Sequence, residues 1–276
     1  MSRALIQILE GWRRSGISWV PHVEPASQPT SQPSAESVPV TRPTEINRTP
    51  EPVDTGDTSM PKKTAQSLGQ FAHRCDAFQP LDLPRSERVT QLETLKARVA
   101  KCLKCSELAT ARTQTVFGVG NPEAKIVFVG EAPGADEDRL GEPFVGRAGQ
   151  LLNDIIRACR LTREEIYICN ILRCRPPGNR LPSFDEAQNC REFLDGQLAV
   201  VNPDYIVCWG SCAAKNLLGS DETIGKLRGR FFSYGRAKVL CTYHPSYLLR
   251  NPSAKKDVWD DMKFLFRDQG IDLAAK

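Results

Sequence analysis

The chain has 276 residues, 40% of them hydrophobic and 25% charged, with a formal net charge of +4. No apolar run reaches the ~20 residues of a transmembrane helix, and the opening stretch MSRALIQILEGWRRSG carries Glu10, Arg3, Arg13 and Arg14 and has no small-residue cleavage site, so it does not read as a secretory signal. Ten cysteines without an export signal read as buried thiols or metal ligands rather than disulfides, and the expected compartment is the cytoplasm.

Residues 1–20 predict a short amphipathic helix, with Leu5, Ile6, Ile8, Leu9 and Trp12 as its apolar positions. Residues 21–85 read as a Pro/Ser/Thr-rich disordered linker, because such a composition buries too little apolar surface to offset its ordering entropy. Residues 21–60 hold six acids and two bases, so the net +4 of the chain conceals a remainder of +8. A moderately basic folded part suits a polyanionic partner. The linker and helix are expected to tether a protein partner, and the chain is expected to act as a monomer with no membrane contact.

Residues 86–276 form the predicted folded domain. Val89, Leu92, Leu95 and Val99 step by three and four and predict its first helix. Strands are then predicted over 124–130, 165–172, 204–210 and 237–245. Helices are predicted over 147–160, 183–201, 211–219 and 255–269, the second with Phe184, Ala187, Phe193, Leu194 and Leu198 inward. Four strands separated by helices imply an α/β fold, a three-layer α/β/α sandwich on a four-stranded parallel sheet.

In such a sheet, ligands bind beyond the carboxyl ends of the strands. The first strand ends in GEAPG, the second in Asn170, and the fourth in YHPSYLLR, so Glu131, Asn170 and His244 are expected on one rim. The apolar pair Leu248 and Leu249 beside Arg250 resembles a wedge that fills a gap in a base stack while a cation holds phosphate. Cys102 and Cys105 lie in a CLKC pair, and Cys174 and Cys190 supply two more thiols, which together make the four ligands of a zinc ion or an iron–sulfur cluster. Cys169, Cys208 and Cys241 fall in strands and read as core thiols, as do Cys159 and Cys212 on helices.

The motifs GEAPGADED with GEPFVGRAGQLL, NILRCRPPGNRLP and YHPSYLLRNP, together with the four cysteines in this order, resemble the family 4 uracil-DNA glycosylases, the iron–sulfur branch of that superfamily. The resemblance covers residues 102–269. It implies a [4Fe–4S] cluster on Cys102, Cys105, Cys174 and Cys190, and uracil-containing DNA, single- or double-stranded, as substrate in base-excision repair at the nucleoid. It implies that Phe144 stacks on the flipped uracil, that Asn170 reads its Watson–Crick edge and that His244 bonds O2. Glu131 would position the attacking water with Glu137 assisting, in a pocket edged by Gly130, Ala132 and Gly134. Leu248 matches the position at which the wider superfamily inserts a leucine into the duplex, and Arg250 would lie against the backbone. Ala132 stands where the best-known branch of the superfamily has an aspartate.

Overall fold

The computed structural model describes residues 78–275. The helix expected over 1–20 and the linker up to residue 77 lie outside the described residues. The folded domain starts earlier than residue 86. The Phe78 ring is buried against Tyr234, with centroids 5.7 Å apart, and the Leu81 N–H donates to the Ala199 carbonyl at 3.0 Å.

Six strands form one sheet: β1 (Val119–Gly120), β2 (Ile126–Gly130), β3 (Tyr167–Asn170), β4 (Tyr205–Trp209), β5 (Phe231–Tyr234) and β6 (Ala237–Thr242), in the order β1-β3-β2-β4-β6-β5. The central four are parallel and are the four read from the sequence. Two antiparallel edge strands correct the expected count from four to six. Strand β5 reaches β6 through the two-residue turn Gly235–Arg236, with Gly235 at φ 56°, as a tight hairpin demands. Strand β1 has two residues and no sequence pattern of its own; pairing with β3 alone defines it.

The helices among the described residues are α1 (Arg85–Ala100), α2 (Ser106–Ala111), α3 (Ala135–Leu140), α4 (Arg147–Ala158), α5 (Phe184–Val201), α6 (Gly210–Leu218), α7 (Ile224–Leu227), α8 (Pro245–Arg250) and α9 (Lys255–Asp268). Alternate strand residues face opposite layers. Val127, Val129, Ile206, Cys208 and Val239 pack with α1, α5 and α6, whereas Ile126, Phe128, Ile168, Val207 and Leu240 pack with α4, α8 and α9. Every residue of β2 is buried, which is why its sequence is continuously apolar. Cys159, Cys169, Cys208 and Cys241 are core thiols as expected, while Cys212 is only partly buried.

Two inward assignments fail. Phe184 is 72% exposed at the first turn of α5, and Val89 lies on the outer side of α1. A helical spacing identifies a face but not where along it the neighbouring layer stops.

Candidate active site

The chain leaves β2 toward β3 on one side and later enters β4 on the other. The crevice beyond the carboxyl ends of β2 and β4 is therefore the place where crossovers diverge and a ligand can enter. Gly130 and Asn170 are register partners at the ends of β2 and β3. Pairing continues past the strands, with the Ile171 N–H on the Gly130 carbonyl at 2.9 Å and the Leu172 N–H on the Glu131 carbonyl at 3.1 Å. Glu131 therefore stands on backbone held by the sheet although it is outside the strand.

Four contacts close the rim. A Cβ built on Gly130 would lie 2.3 Å from Asn170 Oδ1 and 2.5 Å from Phe144 Cζ, so only glycine lets both side chains converge there. The Phe144 and His244 rings lie 5.6 Å apart at 33°. A Cβ on Gly210, at φ 90°, would lie 2.9 Å from His244 Cβ, so the turn after β4 makes room for the histidine. Asn170, Phe144 and His244 thus meet at one strand-end rim.

Phe144 is held in an uncommon conformation. Its φ is 56°, a region that bulky residues enter at a cost on the order of 1–3 kcal/mol. Arg163 donates to the Phe144 carbonyl at 3.2 Å and the Pro143 carbonyl at 2.8 Å. A Cβ on Gly149 would fall 1.9 Å from the Phe144 carbonyl oxygen. The sequence reading missed Arg163 and Gly149; the signal for the latter was a glycine inside an apolar-periodic helix, which marks a close approach.

His244 caps the N-terminus of α8. The Ser246 N–H donates to Nδ1 at 3.1 Å, and Ser246 Oγ lies 2.8 Å from the same nitrogen. Nδ1 is therefore an acceptor, and the neutral ring carries its proton on Nε2. Burial, with Arg250 nearby, lowers its pKa to about 4, so the ring stays neutral and remains a donor at physiological pH.

The two carboxylates have different surroundings. Burial pushes the Glu131 carboxyl up, partly offset by a hydrogen bond with the Cys212 thiol, itself pushed to about 12 by burial first and by Glu131 second. Glu137 instead accepts the backbone N–H groups of Gly134 at 3.1 Å and of Val145 and Gly146 at 2.9 Å. Its oxygens tie the loop after β2 to the segment that carries Phe144. Asp138, also missed in the sequence, accepts the Thr113 N–H at 3.0 Å and anchors the same helix. Ala132 and Gly134 lie in the loop between β2 and α3, and the latter serves as the N-cap of α3.

The segment YHPSYLLR is the helix α8 rather than a loop, and this corrects the wedge. Leu248 is 1% exposed inside the core layer of α4 and α9, and so cannot reach a duplex without leaving that core. Leu249 is 40% exposed and Tyr247 38% exposed. These are the apolar side chains that α8 offers outward, with Arg250 exposed in its last turn.

Cys102, Cys105, Cys174 and Cys190 line one cavity. No set of three or more His, Cys, Asp or Glu side chains among the described residues is drawn together to hold a single metal ion. A tetrahedral zinc needs sulfurs about 2.3 Å from one centre, whereas an iron–sulfur cluster takes thiolates at its corners and fills a wider space. Arg112 donates to Cys174 Sγ at 3.0 Å and Asn189 to Cys105 Sγ at 3.6 Å, donors suited to thiolate sulfur. Burial raises the Cys174 and Cys105 thiols, an effect a bound cationic centre would reverse. The donor set fits the cluster.

Residues 117–263 match the family model described as the uracil DNA glycosylase superfamily. The chain is 47% identical over 164 residues to a type-4 uracil-DNA glycosylase of Thermotoga maritima, covering 59% of this chain and 85% of that protein. It is 42% identical over 180 residues to the type-4 enzyme of Archaeoglobus fulgidus, covering 62% and 90%. A type-5 uracil-DNA glycosylase of Pyrobaculum aerophilum is 27% identical over 184 residues, covering 55% and 80%.

Proposed function

Because this chain belongs to the uracil DNA glycosylase superfamily and is a DNA glycosylase, we propose that it flips uracil out of DNA and hydrolyses the N-glycosidic bond, leaving an abasic site for base-excision repair. The observation that carries this reading is the strand-end rim where Asn170 and Phe144 converge on the side-chain-free Gly130 with the His244 ring beside Phe144.

Extraction of the nucleotide costs a few kcal/mol of lost stacking. Phe144 recovers part of it by stacking on the base, and its strained backbone, held by Arg163 and Gly149, presets the ring. The Asn170 amide donates to uracil O4 and accepts from N3–H, which cytosine cannot match. As the N1–C1′ bond breaks, negative charge grows on uracil and positive charge on the sugar. His244 Nε2–H donates to O2, and a well-placed donor of this kind supplies about 3–4 kcal/mol. The neutral ring has a proton to share and is not consumed as an acid. Glu131 orients the water that adds to C1′ and favours the cationic sugar; Glu137 serves by fixing the loops around it. Tyr247 and Leu249, in place of Leu248, meet the duplex, with Arg250 on phosphate.

Cys102, Cys105, Cys174 and Cys190 would hold a [4Fe–4S] cluster that pins the loops beside the pocket; in this role it supplies cross-linking rather than a step of hydrolysis. The enzyme acts as a monomer in the cytoplasm, on single- or double-stranded DNA, and the N-terminal extension ahead of residue 78 tethers it to a protein partner. Among the described residues no helix is long and apolar enough to cross a membrane.

The test is single-turnover release of uracil from labelled oligonucleotides by anaerobically prepared protein. Release that falls at least a hundredfold in Glu131→Ala and Asn170→Ala, about 3 kcal/mol each, is expected. Absence of release from the intact, iron-loaded chain overturns the reading.

A further inference from the structure

Arg112 stands at the C-terminal end of α2, where its backbone N–H donates to the Leu108 carbonyl at 3.0 Å. Its side chain lines the cysteine cavity and forks there. One terminal nitrogen donates to Cys174 Sγ at 3.0 Å, and the other donates to the Cys102 carbonyl at 2.9 Å. One guanidinium therefore joins the loop after β3 to the turn between α1 and α2. A charged donor on a thiolate sulfur makes a stronger bond than a neutral one, and partners of this kind orient the ligands of a metal site.

The chain beyond Arg112 runs from the cavity to the other site. The Thr113 N–H donates to both carboxylate oxygens of Asp138 at 3.0 Å, and Gln114 Nε2 donates to the Arg139 carbonyl at 2.9 Å. Both acceptors belong to α3. Asp138 is buried, so water does not compete for the Thr113 bond. The adjacent Glu137 accepts the N–H groups of Gly134, Val145 and Gly146 and so fixes the segment that carries Phe144. The Val116 N–H then returns to the Arg173 carbonyl at 2.8 Å, one residue before Cys174. Three consecutive residues, Arg112 to Gln114, thus run from a thiol to the helix that holds the Phe144 loop, and each makes a bond of its own.

We propose that Arg112 is a positioning residue: its fork fixes the Cys174 thiolate, and the strap it begins holds α3 and, through Glu137, the Phe144 loop of the uracil-binding rim. This inference rests on the cluster and the uracil-reading rim assigned above. Contacts in series are a coupling only if cutting them at two points costs no more than cutting them at one. A guanidinium suits the position because it is permanently charged and bonds the thiol and the carbonyl together, whereas an ammonium keeps the charge but loses the fork.

Full-length R112Q, R112K, D138A and the double variant R112Q/D138A are prepared anaerobically beside the parent chain. The readouts are iron content, the midpoint potential of the cluster, amide hydrogen exchange over residues 134–146 and over β6, and the half-saturating concentration for uracil release. In R112Q the potential moves to more negative values, because a hydrogen bond to a ligand sulfur favours the reduced cluster. Exchange over 134–146 rises at least tenfold while β6 keeps parental rates, and half-saturation rises about tenfold, the scale of one hydrogen bond from a charged donor. D138A shows the same exchange with the parental potential, and the double variant exchanges no faster over 134–146 than D138A alone. Parental exchange over 134–146 in R112Q, equal acceleration in β6, or additive acceleration in the double variant overturns the strap. A parental potential in iron-loaded R112Q overturns the thiolate bond. Should R112Q fail to fold or to hold iron, R112K decides by the same amides: acceleration confined to 134–146 supports the strap, and parental rates overturn it. Should the parent hold no iron, the cluster assignment fails, and should it release no uracil, the glycosylase reading fails; in either case the amide rates still decide the strap.

Discussion

The strand-end rim and the cysteine cavity belong to one domain but are organised by different forces. At the rim, Glu131 and Asn170 lie within one residue of a strand end and His244 within two, so sheet register decides where they stand. The backbone pairing that places them is complete without a ligand. At the cavity, two thiols come from the turn between α1 and α2, one from the loop after β3 and one from within α5. No ladder joins those pieces. Side-chain donors such as Arg112 and Asn189 bring them together. A rim built on register holds its side chains at fixed distances; a cavity built on side chains has no ladder to fix its lining.

Substitutions at the two regions should therefore separate activity from stability. The largest expected effect is His244→Ala, which removes the O2 donor and lowers uracil release about 10²–10³-fold while the melting temperature changes little. A comparable loss in melting temperature would place the histidine among the structural residues. Gly130→Ala follows: its methyl group would overlap Asn170 Oδ1 and Phe144 Cζ, so uracil binding should fall at least tenfold with the sheet intact by circular dichroism. Leu248→Ala should reverse the pattern, costing about 2–5 kcal/mol of stability in denaturant titration, as removal of a buried leucine does. Leu249→Ala should leave stability within about 0.5 kcal/mol and weaken only the double-stranded substrate.

The pH dependence sharpens the comparison further. The Glu131 carboxyl is raised by burial and acts ionised, so the acid limb of the rate should lie above the range of an ordinary glutamate and vanish in Glu131→Gln. His244 contributes differently. Its pKa falls from 6.5 to about 4 on folding, so the unfolded chain binds more protons between those values. The stability this contributes is full above 6.5 and is lost as pH falls toward 4, about 3 kcal/mol in all. Thermal melts at pH 7 and pH 5 should differ less in His244→Ala than in the parent chain. The smallest expected effect is at Cys190→Ser, which should bleach the iron–sulfur absorbance and lower the melting temperature by a few degrees, with the rim's discrimination of uracil from cytosine retained by the fraction still folded.

The four parallel strands were legible because a central strand is buried on both faces and must be apolar throughout, as IVFVG is. The rim was legible for a related reason: once strand ends are known, the residue after each is on the carboxyl edge. Edge strands were harder. Strand β1 is two residues long, and β5 carries a glycine turn that the reading passed over. The wedge assignment failed because YLLR names three apolar residues without saying which faces inward, and the turn of α8 put Leu248 in the core and left Tyr247 and Leu249 outside.

Composition, periodicity and motif order thus determined, without any coordinates, the layer architecture and the residues that meet at the strand-end rim and in the cysteine cavity, because each depends on local pattern or on chain order. Tertiary structure alone decided that Glu137 ties loops while Glu131 lies beside the crevice, that Arg163 and Gly149 hold Phe144 at positive φ, and that Arg112 donates to the Cys174 thiol. Those facts depend on which groups meet across dozens of residues of chain, and burial, which sets the charge state and reach of each group, is a property of the packed molecule.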